Sequence, residues 1–414
     1  MKRFLHAHAA HPDWSVALAS AANQIEGQRR QGSGPFEPRL GWVYLTDHLA
    51  SDAEALFAAL RRRWPGVQWV GAVGVGICAS GREYFDEPAL VLMLADLPES
   101  SFRVFSGARP LISGASKARA FEAATAMVHA DPNTPDLSDL IAEMSDRTAS
   151  GYLFGGLASS RGRTCHIADG VYGGGLSGVA FRRDVSLLSR VTQGCQPVGP
   201  MRRITRHERN VILELDGTPA LDCLLLDVDA RESQPRAAFE KLQRVLVGLS
   251  ATPSSPAART GQFGDDIVVR HLAGFDPQRR GVAVAESLEP GMRAAFCTRD
   301  VEAARRDLVR ICTEIREELE PEASSREPAR LATADEPGVA ADTGRTGSDR
   351  IAGALYVSCA GRGGPHFGAP SAELAVVRQA LGDVPLAGFF AAGEIARHQL
   401  FGYTGVLTVF TAPA

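Results

Sequence analysis

Apolar positions along this chain fall into short strand-length runs punctuated by glycine, and one arrangement recurs three times: a glycine-rich strand, an irregular loop, then a second apolar strand. The copies are WVGAVGVGICASGREYFDEPALVLML (69–94), YLFGGLASSRGRTCHIADGVYGGGLSGVAF (152–181) and LAGFFAAGEIARHQLFGYTGVLTVF (386–410). The first and last each follow a strand and then a helix. WVYLTDHLA leads into a helix predicted over about 52–63, and ALYVSCAGR into one over about 372–381. Ser51 and Glu54 form a capping-box pattern ahead of Leu56, Phe57 and Leu60, and WPG ends that helix. Ser371 is placed to cap the other helix, with Leu374, Val377 and Leu381 as its stripe and Gly382 as a left-handed stop.

Between these ends, GPMRRITRHERNVILELDGTPALDCLLL reads as two strands paired across a turn at 208–210, with a second turn at Asp216-Gly217. Thr218 is placed to cap a short helix with Pro219 at its first position. A longer helix over about 301–318 shows the stripe Val301, Ala304, Leu308, Ile311 and Ile315. From 319 to 350 the apolar residues are too few to bury, which predicts a disordered insertion. The pattern predicts an α/β protein of two domains, 1–195 and 196–414, built from repeated strand-helix-strand-strand units forming mixed sheets.

Length supports two domains, since 414 residues exceed one ordinary core. A net charge of −4 and the lack of a basic stripe interleaved with aromatics predict no nucleic-acid or membrane partner. No apolar run approaches the roughly 20 residues that span a bilayer, and the histidines and proline of MKRFLHAHAAHPDW interrupt a signal-peptide core. Seven cysteines without regular spacing fit a reducing compartment, so a cytoplasmic location is expected.

Several motifs fail on context. GVGICA (74–79) fits G-x-G-x-x-A but opens no helix, so it is not a dinucleotide turn. No H-E-x-x-H is present, and His6, His8 and His11 fall in an expected frayed N-terminal tail. His166, His207, His271, His366 and His398 stand alone in sequence. No metal or cofactor is predicted from them, although a haem needs only one axial histidine and stays open.

SCAGRGGPHFG (358–368) gathers more chemistry. Its strand ends in Cys359, and the chain turns through Gly361, Arg362, Gly363 and Gly364 before a helix, where open α/β sheets place ligands. Arg362 carries a rigid fork suited to a carboxylate or phosphate, and its glycine neighbours allow close approach. The expected ligand-binding set is Cys359, Gly361, Arg362, Gly363 and His366, joined by Gly393, Glu394, His398, Tyr403 and Thr404 from the final strand pair. Arg362 and Glu394 either clamp the acid and amine of a zwitterion or pair with each other. A third reading is a thiol hydrolase or transferase using Cys359 with His366, though nothing in the sequence orients that base. An interaction scaffold would instead show a shallow, empty cleft.

ALYVSCAGRG, ELAVVRQALGDVPLAGFFAAGEI and LFGYTGVLTVF resemble the C-terminal part of the FIST family. VTQGCQPVGPMRRITRHERNVILELDGTPALD is similar to the segment joining its two domains, and WVGAVGVGICASGREY and YLFGGLASS to its N-terminal domain. The resemblance implies a small-ligand sensor for amino acids or their derivatives. Its output would pass to a separate signalling protein such as a histidine kinase or chemotaxis component. Haem-based nitric-oxide or gas sensing is the alternative that the resemblance carries. The matched motif positions are Cys359, Gly361, Arg362 and Gly363, then Gly393, Glu394 and Ile395; the departure is Arg82, inserted between Gly81 and Glu83.

Overall fold

A computed structural model describes residues 4–32, 34–112, 121–230, 235–250, 263, 267–319 and 351–411. The predicted insertion falls outside them except for Leu319, which ends a helix.

The first unit contains β1 (Phe4–Ala10), α1 (Trp14–Gln31), β2 (Leu40–Thr46), α2 (Ala53–Arg63), β3 (Gln68–Gly74), the hairpin β4 (Gly76–Ala79) and β5 (Arg82–Phe85), and β6 (Ala89–Ala95). The second repeats it with β7 (Phe102–Phe105), β8 (Thr125–Ala130), α3 (Leu137–Asp146), β9 (Tyr152–Leu157), the hairpin β10 (His166–Ala168) and β11 (Val171–Tyr172), and β12 (Leu176–Phe181). The third opens with β13 (Leu187–Gln193) and is interrupted by β14 (Cys195–Pro197), β15 (Arg202–Glu208), β16 (Val211–Leu215), β17 (Thr218–Pro219), α4 (Ala220–Asp227), α5 (Pro235–Leu242), β18 (Val245–Ser250), β19 (Val268–Asp276), β20 (Gly281–Val284) and β21 (Arg293–Arg299). It resumes with α6 (Val301–Leu319), β22 (Ile351–Cys359), α7 (Ala372–Leu381), β23 (Leu386–Ala391), the hairpin β24 (Glu394–Arg397) and β25 (Gln399–Phe401), and β26 (Thr404–Thr411).

Each unit forms four strands of a sheet, in the orders β1-β6-β2-β3, β7-β12-β8-β9 and β13-β26-β22-β23, and each sheet takes its last two strands from another unit. The hairpin β4–β5 adds to β23, β24–β25 to β9, and β10–β11 to β3, so the three units exchange hairpins in a closed ring. The repeated glycine is explained by this packing. A Cβ on Gly71, Gly155 or Gly388 would sit 1.7, 1.9 or 1.8 Å from the carbonyl oxygen of Val43, Val128 or Tyr356 on the parallel neighbour. The three sheets turn one face inward onto a shared core in which Tyr44 stacks on Phe389 at 5.1 Å and Phe181 meets Phe410 edge-on at 5.8 Å. Each such aromatic contributes about 1.5–3 kcal/mol by leaving water. Helices cover the outer faces, α1 and α2 on the first sheet and α6 and α7 on the third.

The interruption folds as a closed antiparallel barrel, because β21 pairs with β15 on one side and with β18 on the other in the ring β15-β16-β20-β19-β18-β21. One outer patch, with Leu246, Val269, Ala295 and Cys297, packs with Cys195 against Tyr403. The barrel is thereby seated over the carboxyl end of β22.

The mixed α/β class and the repeated units are as the pattern predicts, including helices at 53–63, 301–319 and 372–381. Four local readings are corrected. Phe4–Ala10 is no frayed tail but an edge strand on β6, with His8 Nδ1 hydrogen-bonded to the Tyr84 hydroxyl. Ser51 lies in a 3-10 turn (Asp47–Asp52) rather than capping α2, because that turn supplies the helix start. Ser371 sits at the N-cap of α7 in a left-handed conformation (φ 61°), and its hydroxyl instead accepts the Glu83 amide at 2.9 Å. Thr218 pairs with Leu215, which leaves Pro219 as the N-cap of α4. The sheets also run across residue 195: β13 pairs with β26, and the 76–85 hairpin lies in the sheet of β23.

Candidate functional site

The hairpin exchange makes the three units comparable residue by residue. Counting three positions on from the carbonyls that cover the shared glycines gives Thr46, Asp131 and Cys359 at the ends of β2, β8 and β22. Thr46 Oγ1 accepts the Ala89 amide at 2.9 Å, Asp131 Oδ2 the Gly174 amide at 3.0 Å, and the Cys359 thiol faces the backbone of Tyr403. Cys359 therefore occupies a strand-end position at which polar side chains tie down the next strand. Burial, then the neighbouring Glu394, pushes its thiol up to about 12. No hydrogen bond joins it to His366, whose Nδ1 instead lies 3.3 Å from Arg299 Nη2.

Register equates three further residues. Ile77 faces Phe389, His166 faces Ala72 and Glu394 faces Gly156, each one residue beyond a shared glycine. Ile77 is packed in the apolar core. His166 is satisfied at both ring nitrogens, by Ser177 Oγ at 2.6 Å and the Gly174 carbonyl at 3.1 Å. Glu394 differs. Its Oε2 accepts the Thr404 amide at 3.1 Å and the Thr404 hydroxyl at 2.7 Å, while Oε1, in a residue 0% exposed, has no partner. Desolvation raises its carboxyl to about 8 despite those bonds, the nearby Arg362 charge and the Cys359 thiol that faces it.

Directly opposite Thr404 on β13 is Gln193, which is 5% exposed. Its Nε2 donates to the Ile267 carbonyl at 3.1 Å, leaving Oε1 a second buried oxygen without a partner. Gln193 and Glu394 thus flank Thr404, with Cys359 beside them. Buried polar atoms normally find partners, and here two acceptors without one lie around a single residue.

Above this floor lies a more exposed rim. Arg299, at the end of barrel strand β21, donates to the Gly361 carbonyl and packs over the Tyr403 ring at 5.1 Å. The Tyr403 hydroxyl meets His271 Nε2 at 2.6 Å, and a Cβ on Gly361 would lie 3.5 Å from Tyr403, 3.7 Å from Arg299 and 3.8 Å from Cys359 Sγ. His366 Nε2 is also buried without a partner. Tyr403 itself is held at φ 61°.

Arg362 is turned inward. Its Nε and Nη2 donate to Glu373 Oε1 at 3.0 and 2.8 Å, and Nη1 reaches the carbonyls of Thr192 and Tyr403 at 3.4 and 3.5 Å. Its ion partner is Glu373 rather than Glu394. Tyr356 and Ser358 also donate to Glu373. Gly363 packs on Phe85 of the exchanged hairpin and Gly393 on Leu400 and Leu157. His398 is exposed beyond the far end of β24, whose register runs from Glu394 at Gly156 to Arg397 at Leu153. Thus Cys359, Gly361, His366, Glu394, Tyr403 and Thr404 gather at one end of the third sheet, Arg362 braces them from behind, and His398 lies apart. Gln193 and Arg299 were missed; aligning the three glycine-rich copies would have exposed Glu394 as the odd residue, but nothing local signals the other two.

Residues 39–218 match the FIST N domain and residues 220–397 the FIST C domain. The chain belongs to the FIST family. FIST domains are described as small-ligand-sensing domains of signal transduction. An uncharacterized protein of Mycobacterium bovis is similar to this FIST protein at 30% identity over 419 residues, covering 96% of each chain. An uncharacterized protein of Mycobacterium tuberculosis is 28% identical over 426 residues, covering 96% of this chain and 97% of the relative. Among the described residues no helix is long and apolar enough to cross a membrane.

Proposed function

We propose that this FIST protein is a non-catalytic cytoplasmic sensor of an amino acid or a closely related zwitterion, bound where the barrel meets the end of the third sheet. The observation that carries the reading is the pair of buried, unpartnered oxygens, Gln193 Oε1 and Glu394 Oε1, on either side of Thr404. An ammonium group supplies donors to these oxygens, and its charge favours loss of the proton that burial keeps on the Glu394 carboxyl. Arg299, with its guanidinium at the exposed rim, is placed for the carboxylate in the role that sequence assigned to Arg362. Cys359 forms part of the floor; a thiol held so far above neutral pH, with no hydrogen bond to His366 and beside a Glu394 carboxyl that disfavours the thiolate, is a poor nucleophile. Output passes to a separate signalling protein such as a histidine kinase or chemotaxis component.

Isothermal titration with the common amino acids and their keto acids tests the reading, on the native protein and on Glu394→Gln, Gln193→Leu and Arg299→Ala. At least one amino acid should bind, its keto acid more weakly, and each substitution should weaken binding at least about tenfold, the equivalent of about 1.4 kcal/mol. Binding that all three variants retain, or no binding by any compound, overturns it.

A further inference from the structure

The ends of α1 and α2 carry more positive charge than their own helices use. Arg29 and Arg30 close α1, and Arg61, Arg62 and Arg63 close α2. The two helices pack side by side on the first sheet. Gln28 Nε2 donates to the His6 carbonyl and Gln24 Nε2 to that of His8, so α1 runs antiparallel to β1 and ends beside Phe4. Phe4 and Leu40 both pair with Ala95, and Leu40 pairs with Gln68, five residues after α2 ends, so both helix ends emerge at one edge of the unit. Arg39 joins them there, its guanidinium 3.4 Å from where a Cβ on Gly66 would stand.

Six exposed arginines thus share one edge of a protein whose net charge is −4. Nearby acids offset little: Glu26 lies 3.7 Å from Arg29 and Glu37 3.3 Å from Arg39, and Asp96 follows Ala95. Among the described residues, Arg30, Arg61, Arg62 and Arg63 make no ion pair; Arg63 lies over Trp64 at 5.5 Å and Arg61 over Phe57 at 6.0 Å. Helix dipoles favour a cation in the last turn, but three consecutive arginines point about 100° apart and cannot all serve the same carbonyls.

We infer that this arginine edge, formed by Arg29, Arg30, Arg39 and Arg61 to Arg63, is a docking surface for an acidic segment of a protein partner. The patch is compact, about two helix widths across, and the net negative charge of the rest of the molecule disfavours a long polyanion that must run beyond it. A short carboxylate-rich segment satisfies both conditions. The surface belongs to the first unit, away from the Glu394 region, so it stands independently of the ligand reading.

The test is fluorescence anisotropy of a labelled oligoglutamate peptide with the full chain, across a salt series. The native protein should bind saturably and lose affinity as salt rises. The triple charge reversal Arg61→Glu, Arg62→Glu, Arg63→Glu should weaken binding at least about tenfold with an unchanged melting temperature. The double reversal Arg29→Glu, Arg30→Glu, on the other helix, gives a second reading should the triple variant misfold. Absence of saturable binding, or equal binding by both variants, overturns the inference. Tighter binding of a duplex DNA of equal charge through the same arginines also overturns it, in favour of nucleic acid.

Discussion

Arg362 Nη2 lies 2.8 Å from Glu373 Oε1, in an ion pair whose two side chains are each 1% exposed. Glu373 lies in the first turn of α7, Arg362 follows β22, and the guanidinium also holds the carbonyls of Thr192 and Tyr403. The pair fixes the backbone on which the candidate site stands, while its donors are engaged within the protein.

Removing one partner leaves a buried charge alone. Arg362→Ala should destabilise the fold by about 3–5 kcal/mol in urea unfolding. A loss under about 1 kcal/mol would show the pair to be solvated in solution. Because this variant tests stability, binding is better probed through Glu394, Gln193 and Arg299.

Glu394 gives a pH signature. Its folded-state pKa, about 8, lies above the ordinary carboxylate value of 4.5, so the folded state holds a proton that the unfolded chain releases in that window. Its contribution is therefore present below about pH 4.5 and is lost as pH rises toward 8. Glu83, raised to about 7 by burial and then by Glu373, acts with the same sign. Unfolding free energies of Glu394→Gln and native protein should diverge between pH 5 and pH 8, the variant gaining relative stability as pH rises. Parallel curves would place the native carboxyl at an ordinary pKa.

The hairpin exchange predicts that neither half folds alone. Residues 1–195 lack β24–β25 for the edge of β9, and residues 196–414 lack β4–β5 and β13 for the third sheet. Expressed separately, the halves should give no cooperative thermal transition; expressed together, they should co-purify. A cooperative transition from either half alone would contradict the arrangement.

Glycine substitutions separate the roles of that residue type. Gly388→Ala forces a Cβ to 1.8 Å from the Tyr356 carbonyl and should cost at least about 3 kcal/mol, since backbone on the parallel strand must move. Gly27→Ala, inside α1 with nothing within 4 Å, should stabilise by about 0.5–1 kcal/mol. Chemical denaturation of the two variants checks both signs.

Thiol reactivity offers a further check. All seven cysteines are buried, and burial pushes the Cys359 and Cys312 thiols up to about 12. Iodoacetamide at pH 8 should label the native protein far more slowly than the denatured one. Rapid labelling of Cys359 alone would reopen the thiol-enzyme reading.

Much of this was legible in the residues. The three glycine-rich copies correspond to β3–β6, β9–β12 and β23–β26, and apolar periodicity placed α2, α6 and α7 within a residue of their bounds. Alternation along β4 says which face is buried but carries no information on which sheet it joins, so the exchange was invisible. The same limit hid Gln193 and Arg299, which approach Thr404 and Gly361 through pairings and packing made far away in sequence. Arg362 was read as a ligand clamp or a partner of Glu394, whereas its partner Glu373 lies across the helix start, where no spacing rule points.

The exchanged hairpins also bear on how such a site can arise. In a symmetric trimer of identical chains, any substitution at the position of Glu394 would appear three times, and the fold would carry three buried carboxyls. Here the ring is closed within one polypeptide, so its three equivalent positions diverge independently: Ile77 fills the core, His166 is fully bonded, and only Glu394 retains an open oxygen. Covalent fusion confines the destabilisation to one corner and leaves the other two to hold the fold together.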